Sequence, residues 1–400
     1  MEISEYKDTI RACRYCPMCR HVCTSGNLSF HESDYPRGRG LVLDKIYKGT
    51  LKYSPDIVEP LYNCFLCGCC WANCEGGFLM HKLVESSRKD IVNSGSQPEI
   101  ADEIRELLLK EKNPYVDFSR TGTAKKKKGN TVFKPENGRI DKKADILYFM
   151  GDNIKFNFHD IAEKTVDIFE QLGADYTLLS GEPSDGKILK ILGFEHDAAE
   201  KAAILAKKIK SLDVKSVVVS DPLSYDALKN DFAEYGIKLD CGIEHTSLIF
   251  AEFLEGYRGN PGRGDKSGCE FKDLKINRID KKTTIVDSEF LGRFNSIYEE
   301  PRNLIQAITG NLVEMRNNRK KALATGEAAF IFNNGYFKMG KQLGEIICKE
   351  ARFSGAELII TLSATAKGNL KESCNKNSIE VLEISEFLWE AINNKKKEVK

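Results

Sequence analysis

Eight of the chain's thirteen cysteines fall into two runs of identical spacing. Cys13, Cys16, Cys19 and Cys23 lie in "CRYCPMCRHVC", and Cys64, Cys67, Cys70 and Cys74 lie in "CFLCGCCWANC". Each run reads C-x2-C-x2-C-x3-C. Closely spaced thiolates on a short loop can each bind a different iron of one inorganic cluster. Each iron offers one outward site, and loop N–H groups offset the thiolate charge. Structural zinc needs four thiolates converging on one ion and usually draws them from separated pairs. The two runs therefore point to two 4Fe-4S clusters, with zinc or an incomplete cluster set as the alternative.

In two-cluster ferredoxins the fourth cysteine of each run ligates the other cluster. The expected ligand sets are then Cys13, Cys16, Cys19 and Cys74 for cluster 1, and Cys64, Cys67, Cys70 and Cys23 for cluster 2. Gly68, Gly76 and Gly77 permit the tight turns this requires. The proline that usually follows the fourth cysteine is missing, with Thr24 and Glu75 in its place. Cys69 has no place in the pattern and is expected as a spare thiol packed beside a cluster. His21 and His31 are expected as surface or packing residues.

The elements that must hold these loops are set by the rest of the chain. At 400 residues it has room for two to three domains, and 60 Lys+Arg against 59 Asp+Glu give a net charge of +1. Nothing in that balance suggests a nucleic-acid partner. No apolar run is long enough for a membrane span, and "MEISEYKDTI" has no signal core, so a cytoplasmic, reducing location is expected. Cysteines clustered in such a chain are metal ligands rather than a disulfide framework.

Residues 1–116 form the cysteine-rich part and end in "PEIADEIRELLLKEK", whose Ile100, Ile104, Leu107 and Leu108 share one helical face. Residues 117–143, with Lys125 to Lys128 in a row, read as a solvated linker rather than a polyanion site. Strand-like runs then alternate with helical ones: "DILYFM", "FHDIAEKTVDIFEQL", "YTLLS", "AAEKAAILAKKIKSL", "SVVVS". After a connecting loop (residues 259–282) the pattern restarts with "TTIVD", "EEPRNLIQAI", "AAFIF", "GKQLGEIICKEA" and "LIITL". "SVVVSDPLSYDALK" aligns without gaps on "LIITLSATAKGNLK", and "HTSLIFAEFLE" on "LEISEFLWEAI", which indicates an internal duplication. The expected fold is mixed α+β and α/β. A mostly helical two-cluster ferredoxin-type domain precedes two duplicated α/β lobes, residues 144–258 and 283–395, with largely parallel sheets. Ligands of such lobes sit at the carboxyl ends of the strands, here the turns "SDPLS" and "LSATA".

The stretches "DYPRGRGLVLDKIYKG" and "LYNCFLCGCCWANCEGG", with "LGRFNSIYEEPRNLIQAI" further on, resemble the family that groups heterodisulfide reductase and glycolate oxidase iron-sulfur subunits. That resemblance covers nearly the whole chain and implies a two-cluster domain followed by two cysteine-rich repeats. In catalytic members each repeat supplies a lone Cys, a Cys-Cys-Gly and a Cys-x-x-Cys to a non-cubane iron-sulfur centre. Here the matching positions hold Asp152, Ser184-Asp185-Gly186, Asp221 and Ser224, then Glu289, Ala324-Thr325-Gly326, Ser363 and Ala366. The non-cubane centre is expected to be absent. Oxygen donors could suit a hard cation, but these residues are also ordinary turn formers.

Cys348 reads as a core residue, and Cys241, Cys269 and Cys374 lack partners at ligand spacing. His245 is expected at a helix start in a capping or packing role, while His159 and His196 carry no signal. The expected function is an electron-transfer subunit of a larger oxidoreductase complex. By the resemblance it works between a redox partner, a flavoprotein or another reductase module, and a catalytic subunit. The alternatives are a reductase of a disulfide or small molecule at the altered cleft, and a cluster-bearing scaffold or assembly protein.

Overall fold

The computed structural model describes residues 1–115, 117–118, 124–125, 139–257, 275–328 and 333–393. Lys126 to Lys128 and most of the expected linker lie outside the described residues. So do residue 258, residues 259–274 of the connecting loop, with Cys269, and all but the first residue of "AAFIF".

The N-terminal part is helical. Pro36–Tyr47 and Pro55–Tyr62 begin on prolines, which suit the first helical turn because no N–H is needed there. Met80–Asn93 and Glu99–Leu109 follow, the latter burying Ala101, Ile104 and Leu108. The extreme N-terminus is pinned to this bundle: the Glu2 and Ile3 N–H groups donate to the Asp90 carboxylate at 2.7 and 3.2 Å.

Two parallel sheets follow. Strands β1 (Ile146–Phe149), β2 (Tyr176–Thr177), β3 (Ser216–Val219) and β4 (Gly242–His245) run in spatial order β2-β1-β3-β4. Strands β5 (Thr283–Val286), β6 (Leu358–Thr361) and β7 (Glu380–Glu383) run in order β5-β6-β7. β1, β3, β5 and β6 are buried on both faces, which explains their unbroken apolar runs. The mixed fold with largely parallel lobes is therefore as expected from sequence. Strands β4 and β7 carry too few apolar residues to announce themselves. They locate the duplication: β3 pairs Ser216 with Gly242, and β6 pairs Leu358 with Glu380. His245 thus matches Glu383, one residue beyond the partner that side-chain likeness suggests.

The lobes share one apolar core, in which Phe169, Phe250, Ile285, Ile305 and Phe387 all take part. Cross-lobe bonds reinforce it, including Asn153 to Thr365 at 2.6 Å and Thr165 to Ser385 at 3.0 Å. A second core joins the N-terminal bundle to both lobes through Leu61, Leu83, Val84, Ile188, Leu192 and Phe290. At its centre lies Arg88, fully buried on the Met80–Asn93 helix. Its guanidinium donates to the carbonyls of Leu61 (3.0 Å), Tyr62 (3.1 Å), Cys64 (2.7 Å) and Ile191 (2.8 Å). Around it, Lys190 meets Asp231 at 2.7 Å and Glu85 at 3.4 Å, and Lys82 meets Glu234 at 3.1 Å. Replacing Arg88 by Met leaves four buried carbonyls without that donor. Chemical denaturation should show a loss of about 3 kcal/mol or more, whereas a loss under about 1 kcal/mol would refute the bridging role.

Candidate metal centre

The two thiol runs share a backbone device. The residue before the second cysteine of each run, Tyr15 and Leu66, takes a left-handed conformation with φ of 52° in both. Such strain in a non-glycine residue is uncommon and concentrates at sites where a loop must curl around something. In the first run the Tyr15 N–H consequently points back to Cys13 Sγ at 3.4 Å. In the second, Gly68 adds a φ of 71° against Phe294, where a Cβ would come within 3.0 Å of the ring. Cys23 caps the Thr24–Ser29 helix, its sulfur accepting the Gly26 N–H at 3.4 Å, so Thr24 opens a helix where the usual proline is missing.

The fold brings the runs together crosswise. The charges that act on the Cys13 thiol include those of Cys16 and of Cys74, from the other run. Cys23 feels Cys64, and Cys70 feels Cys67, Cys64, Cys23 and Cys19. Beside the second group lies a small cavity lined by Cys23, Cys64, Cys67, Cys70 and the side chains of Arg39 and His81. Among the described residues, the one group of three or more His, Cys, Asp or Glu ligand atoms all within 4.8 Å of one another is His196, Asp197 and Glu200, two of them exposed. The thiols are thus spread more widely than ligands of a single ion.

Burial is the largest influence on Cys13, Cys19, Cys23 and Cys70, and it raises all four, Cys19 to about 11. Without a bound cation these thiols keep their protons. Arg39 opposes this at Cys23. Its buried guanidinium lies 3.9 Å from the sulfur and is held by Pro60 O (2.7 Å), Ser25 Oγ (3.1 Å) and Asp34 (3.5 Å).

Cys69 is buried beside the second run and shares a hydrogen bond with Cys67, which raises the Cys67 thiol and lowers that of Cys69. Arg293 of the second lobe donates to Cys67 O at 2.5 Å and to Ala322 O at 2.9 Å, while Cys69 Sγ lies 3.7 Å from Ala322 O. The spare thiol is thus part of the seam between the second run and the second lobe. His81, which no spacing in the sequence singles out, completes that seam. It is buried, its pKa is pushed down to about 4 by desolvation, and it packs on Trp71 and Phe294 with centroids 5.4 and 5.1 Å apart. His21 and His31 are exposed.

Cys348 is a core residue, but Cys374 does have a partner. The helices Asn333–Phe353 and Ala364–Asn375 pack so that the Cys348 and Cys374 thiols are within hydrogen-bond reach, a juxtaposition with no trace in sequence spacing. His245 ends β4 immediately before its helix rather than opening it. Its Nδ1 meets Ser247 Oγ at 2.9 Å and its Nε2 meets Ser220 O at 3.2 Å, a packing and capping role.

The altered lobe positions do converge. Asp152 accepts from Ser184 Oγ at 2.6 Å and pairs with Lys155 Nζ at 2.9 Å. Burial first, then the charge of Asp152, pushes Asp185 up to about 6. Burial first, then the charge of Asp185, pushes Asp221 up to about 8. In the second lobe, Glu289 accepts from Thr325 N (2.7 Å), Thr325 Oγ1 (2.8 Å) and Gly326 N (2.9 Å). Gly186 and Gly326 have φ of 84° and 83°, which supports matching Ser184-Asp185-Gly186 with Ala324-Thr325-Gly326. Asp221 and Ser363 occupy equivalent caps, accepting from Leu223 N and Ala366 N. Both turns are buried, with Ser220, Asp221, Ser363 and Ala366 all at most 5 % exposed.

These raised carboxyls carry a pH dependence. Each keeps a proton in the folded state that the unfolded chain releases near 3.8. The stability they support is therefore present below that value and is lost as pH rises through about 6 for Asp185 and about 8 for Asp221. Asp221→Asn keeps an oxygen for the Leu223 N–H and removes the charge. It should stabilise the chain by roughly 2–4 kcal/mol at a pH of about 8.5 and by far less at about 5, measured by denaturant unfolding at both values. Equal effects at both would contradict it.

No family model matches the chain. It is 24% identical over 354 residues to the EtfAB:quinone oxidoreductase of Syntrophomonas wolfei, covering 84% of this chain and 47% of that protein. It therefore spans about half the length of that relative. It is 25% identical to a subunit of the dihydromethanophenazine:CoB--CoM heterodisulfide reductase of Methanosarcina barkeri, covering 86% of this chain and 82% of the relative. The probable glycolate oxidase iron-sulfur subunit of Bacillus subtilis is 20% identical, with 96% and 93% covered. Over most of its length the chain is thus a homologue of proteins named as heterodisulfide reductase and glycolate oxidase iron-sulfur subunits.

Proposed function

We propose that the chain is an iron-sulfur electron-transfer subunit of a larger oxidoreductase assembly. Cys13, Cys16, Cys19 and Cys74 hold one 4Fe-4S cluster, and Cys64, Cys67, Cys70 and Cys23 hold the other. The observation that carries this reading is the crosswise approach of the two runs, Cys74 to Cys13 and Cys23 to Cys64. The left-handed residues at Tyr15 and Leu66, and the cavity beside Cys23, Cys64, Cys67 and Cys70, fit loops wrapped around an inorganic core. A cubane with four protein thiolates has no open site, so the chemistry it supplies is one-electron transfer.

The chain's own residues tune and insulate. Arg39 places a positive charge beside Cys23, which favours the reduced, more negative state of that cluster and biases electrons toward it. Arg293, Cys69 and His81 close the seam against water. The relatives' names, those of an oxidoreductase and of subunits of redox enzymes, support a role within a redox assembly, and the partner read from the resemblance is a flavoprotein or another reductase module. Among the described residues no helix is long and apolar enough to cross a membrane. The dense free thiols fit a cytoplasmic, reducing location.

The test is anaerobic reconstitution followed by iron and sulfide analysis and EPR of the reduced state. About eight irons per chain are expected from two cubanes. About one or two metal ions, with zinc replacing iron, would refute the reading. Cys74→Ser should damage the signal of the cluster on Cys13, Cys16 and Cys19, and Cys23→Ser the other. Damage confined to each cysteine's own run would overturn the crossed assignment. Arg39→Gln should lower the midpoint potential of the Cys23 cluster by tens of millivolts and leave the other unmoved, read by potentiometric EPR titration.

A further inference from the structure

The two runs differ sharply in what surrounds them. The second is covered by the second lobe: Cys64 and Cys69 are buried, Cys67, Cys70 and Cys74 are half-buried, and Phe294, Arg293 and Ala322 lie against the loop, with Cys23 from the end of the first run buried beside it. The rest of the first run faces outward. Cys16 is exposed, Cys13 and Cys19 are half-buried, and the residues between and beside them are exposed as well. Any electron exchange with another protein through a short path therefore runs through the first run.

That outward face has its own chemistry. From Thr9 to His31 the chain contains Arg11, Arg14 and Arg20, all exposed, and no Asp or Glu. The acids that follow are engaged elsewhere, Glu32 with Arg37 at 2.7 Å, Asp34 with Arg39 at 3.5 Å and Asp44 with Lys48 at 2.8 Å, and exposed Asp8 just before the stretch is offset by exposed Lys7. Arg14 is held out by its bond to Arg11 O at 3.0 Å, and Arg20 lies over the Tyr35 ring at 4.8 Å. Among these cations large side chains with apolar bodies stand out into solvent: Tyr15 is 36 % exposed, Met18 44 % and Phe30 78 %. Asn27 ties the Thr24–Ser29 helix, which ends at Phe30, to His21 O at 2.9 Å, so Phe30 is fixed beside the same loop. The whole chain has a net charge of only +1. The positive charge here is local rather than a by-product of composition.

Apolar anchors inside a rim of one sign make a docking patch. The apolar groups supply contact area, and the charges steer encounter and fix orientation. We infer that the face formed by Arg11, Arg14, Tyr15, Met18, Arg20 and Phe30 is the docking site for an acidic redox protein. That partner carries its own electron-transfer group behind a carboxylate-rimmed apolar patch. The inference rests on the proposed cluster at Cys13, Cys16, Cys19 and Cys74. One electron passes per encounter, the partner being oxidised as this cluster is reduced or the reverse, and no bond is made or broken.

The test uses the reconstituted full chain, with a photoreduced acidic ferredoxin as donor and a basic c-type cytochrome as the opposite-charge probe, followed by stopped flow. The rate constant with the acidic ferredoxin should fall at least tenfold between about 20 and about 300 mM salt. The Arg11→Glu/Arg14→Glu double variant should lose about tenfold at low salt and gain rate with the basic cytochrome. The milder Met18→Ser variant, which leaves every charge in place, should slow the reaction without changing its salt dependence. EPR of each variant must show both cluster signals, so that loss of a cluster is not mistaken for loss of docking. Salt-independent transfer, or an unchanged rate in the double variant with both signals intact, overturns the docking face. Failure of the parent chain to take up clusters overturns the electron-transfer reading instead.

Discussion

A single buried guanidinium organises the parts that matter. Arg88 cannot be solvated where it sits, so it must be met by acceptors, and the acceptors it finds are backbone carbonyls from distant parts of the chain. Leu61, Tyr62 and Cys64 belong to the approach to the second thiol run, and Ile191 belongs to the first lobe. The cost of leaving any of these groups unpaired holds the thiol loop, the helix behind it and the lobe in one arrangement. Gly193 shows how close this packing is: a Cβ there would lie 2.5 Å from the Arg88 carbonyl.

This anchoring produces the difference between the two runs. The lobes close over the second run, where Arg39 and Arg293 supply fixed positive charge in a medium that screens it weakly. Cys13, Cys16 and Cys19 of the first run lie outside that cover and face outward among arginines. A pair of chemically identical motifs is thereby given two roles in the proposed path, one insulated and one accessible.

The two lobes share one local geometry. Backbone turns, caps and positive-φ glycines sit at matching places in both, but carboxyls and hydroxyls fill them and bond to one another. Burial raises the Asp185 carboxyl to about 6 and that of Asp221 to about 8, which makes the first lobe sensitive to pH. The lobes' clearest contribution in this structure is to hold and cover the second run.

Much of this was readable from the chain alone. Cysteine spacing selects ligand chemistry because the reach of a three-residue loop is short, and unbroken apolar runs mark doubly covered strands because both faces must leave water. Those local rules announced the thiol runs, the parallel lobes and their duplication. What they could not convey depends on groups far apart in sequence. The roles of His81, Arg39 and Arg88, the meeting of Cys348 with Cys374, the burial of the "SDPLS" and "LSATA" turns, and the covering of the second run by a lobe all arise from packing between distant elements. A side chain's type states what it can bind. Only the folded chain decides which partner reaches it and whether water does.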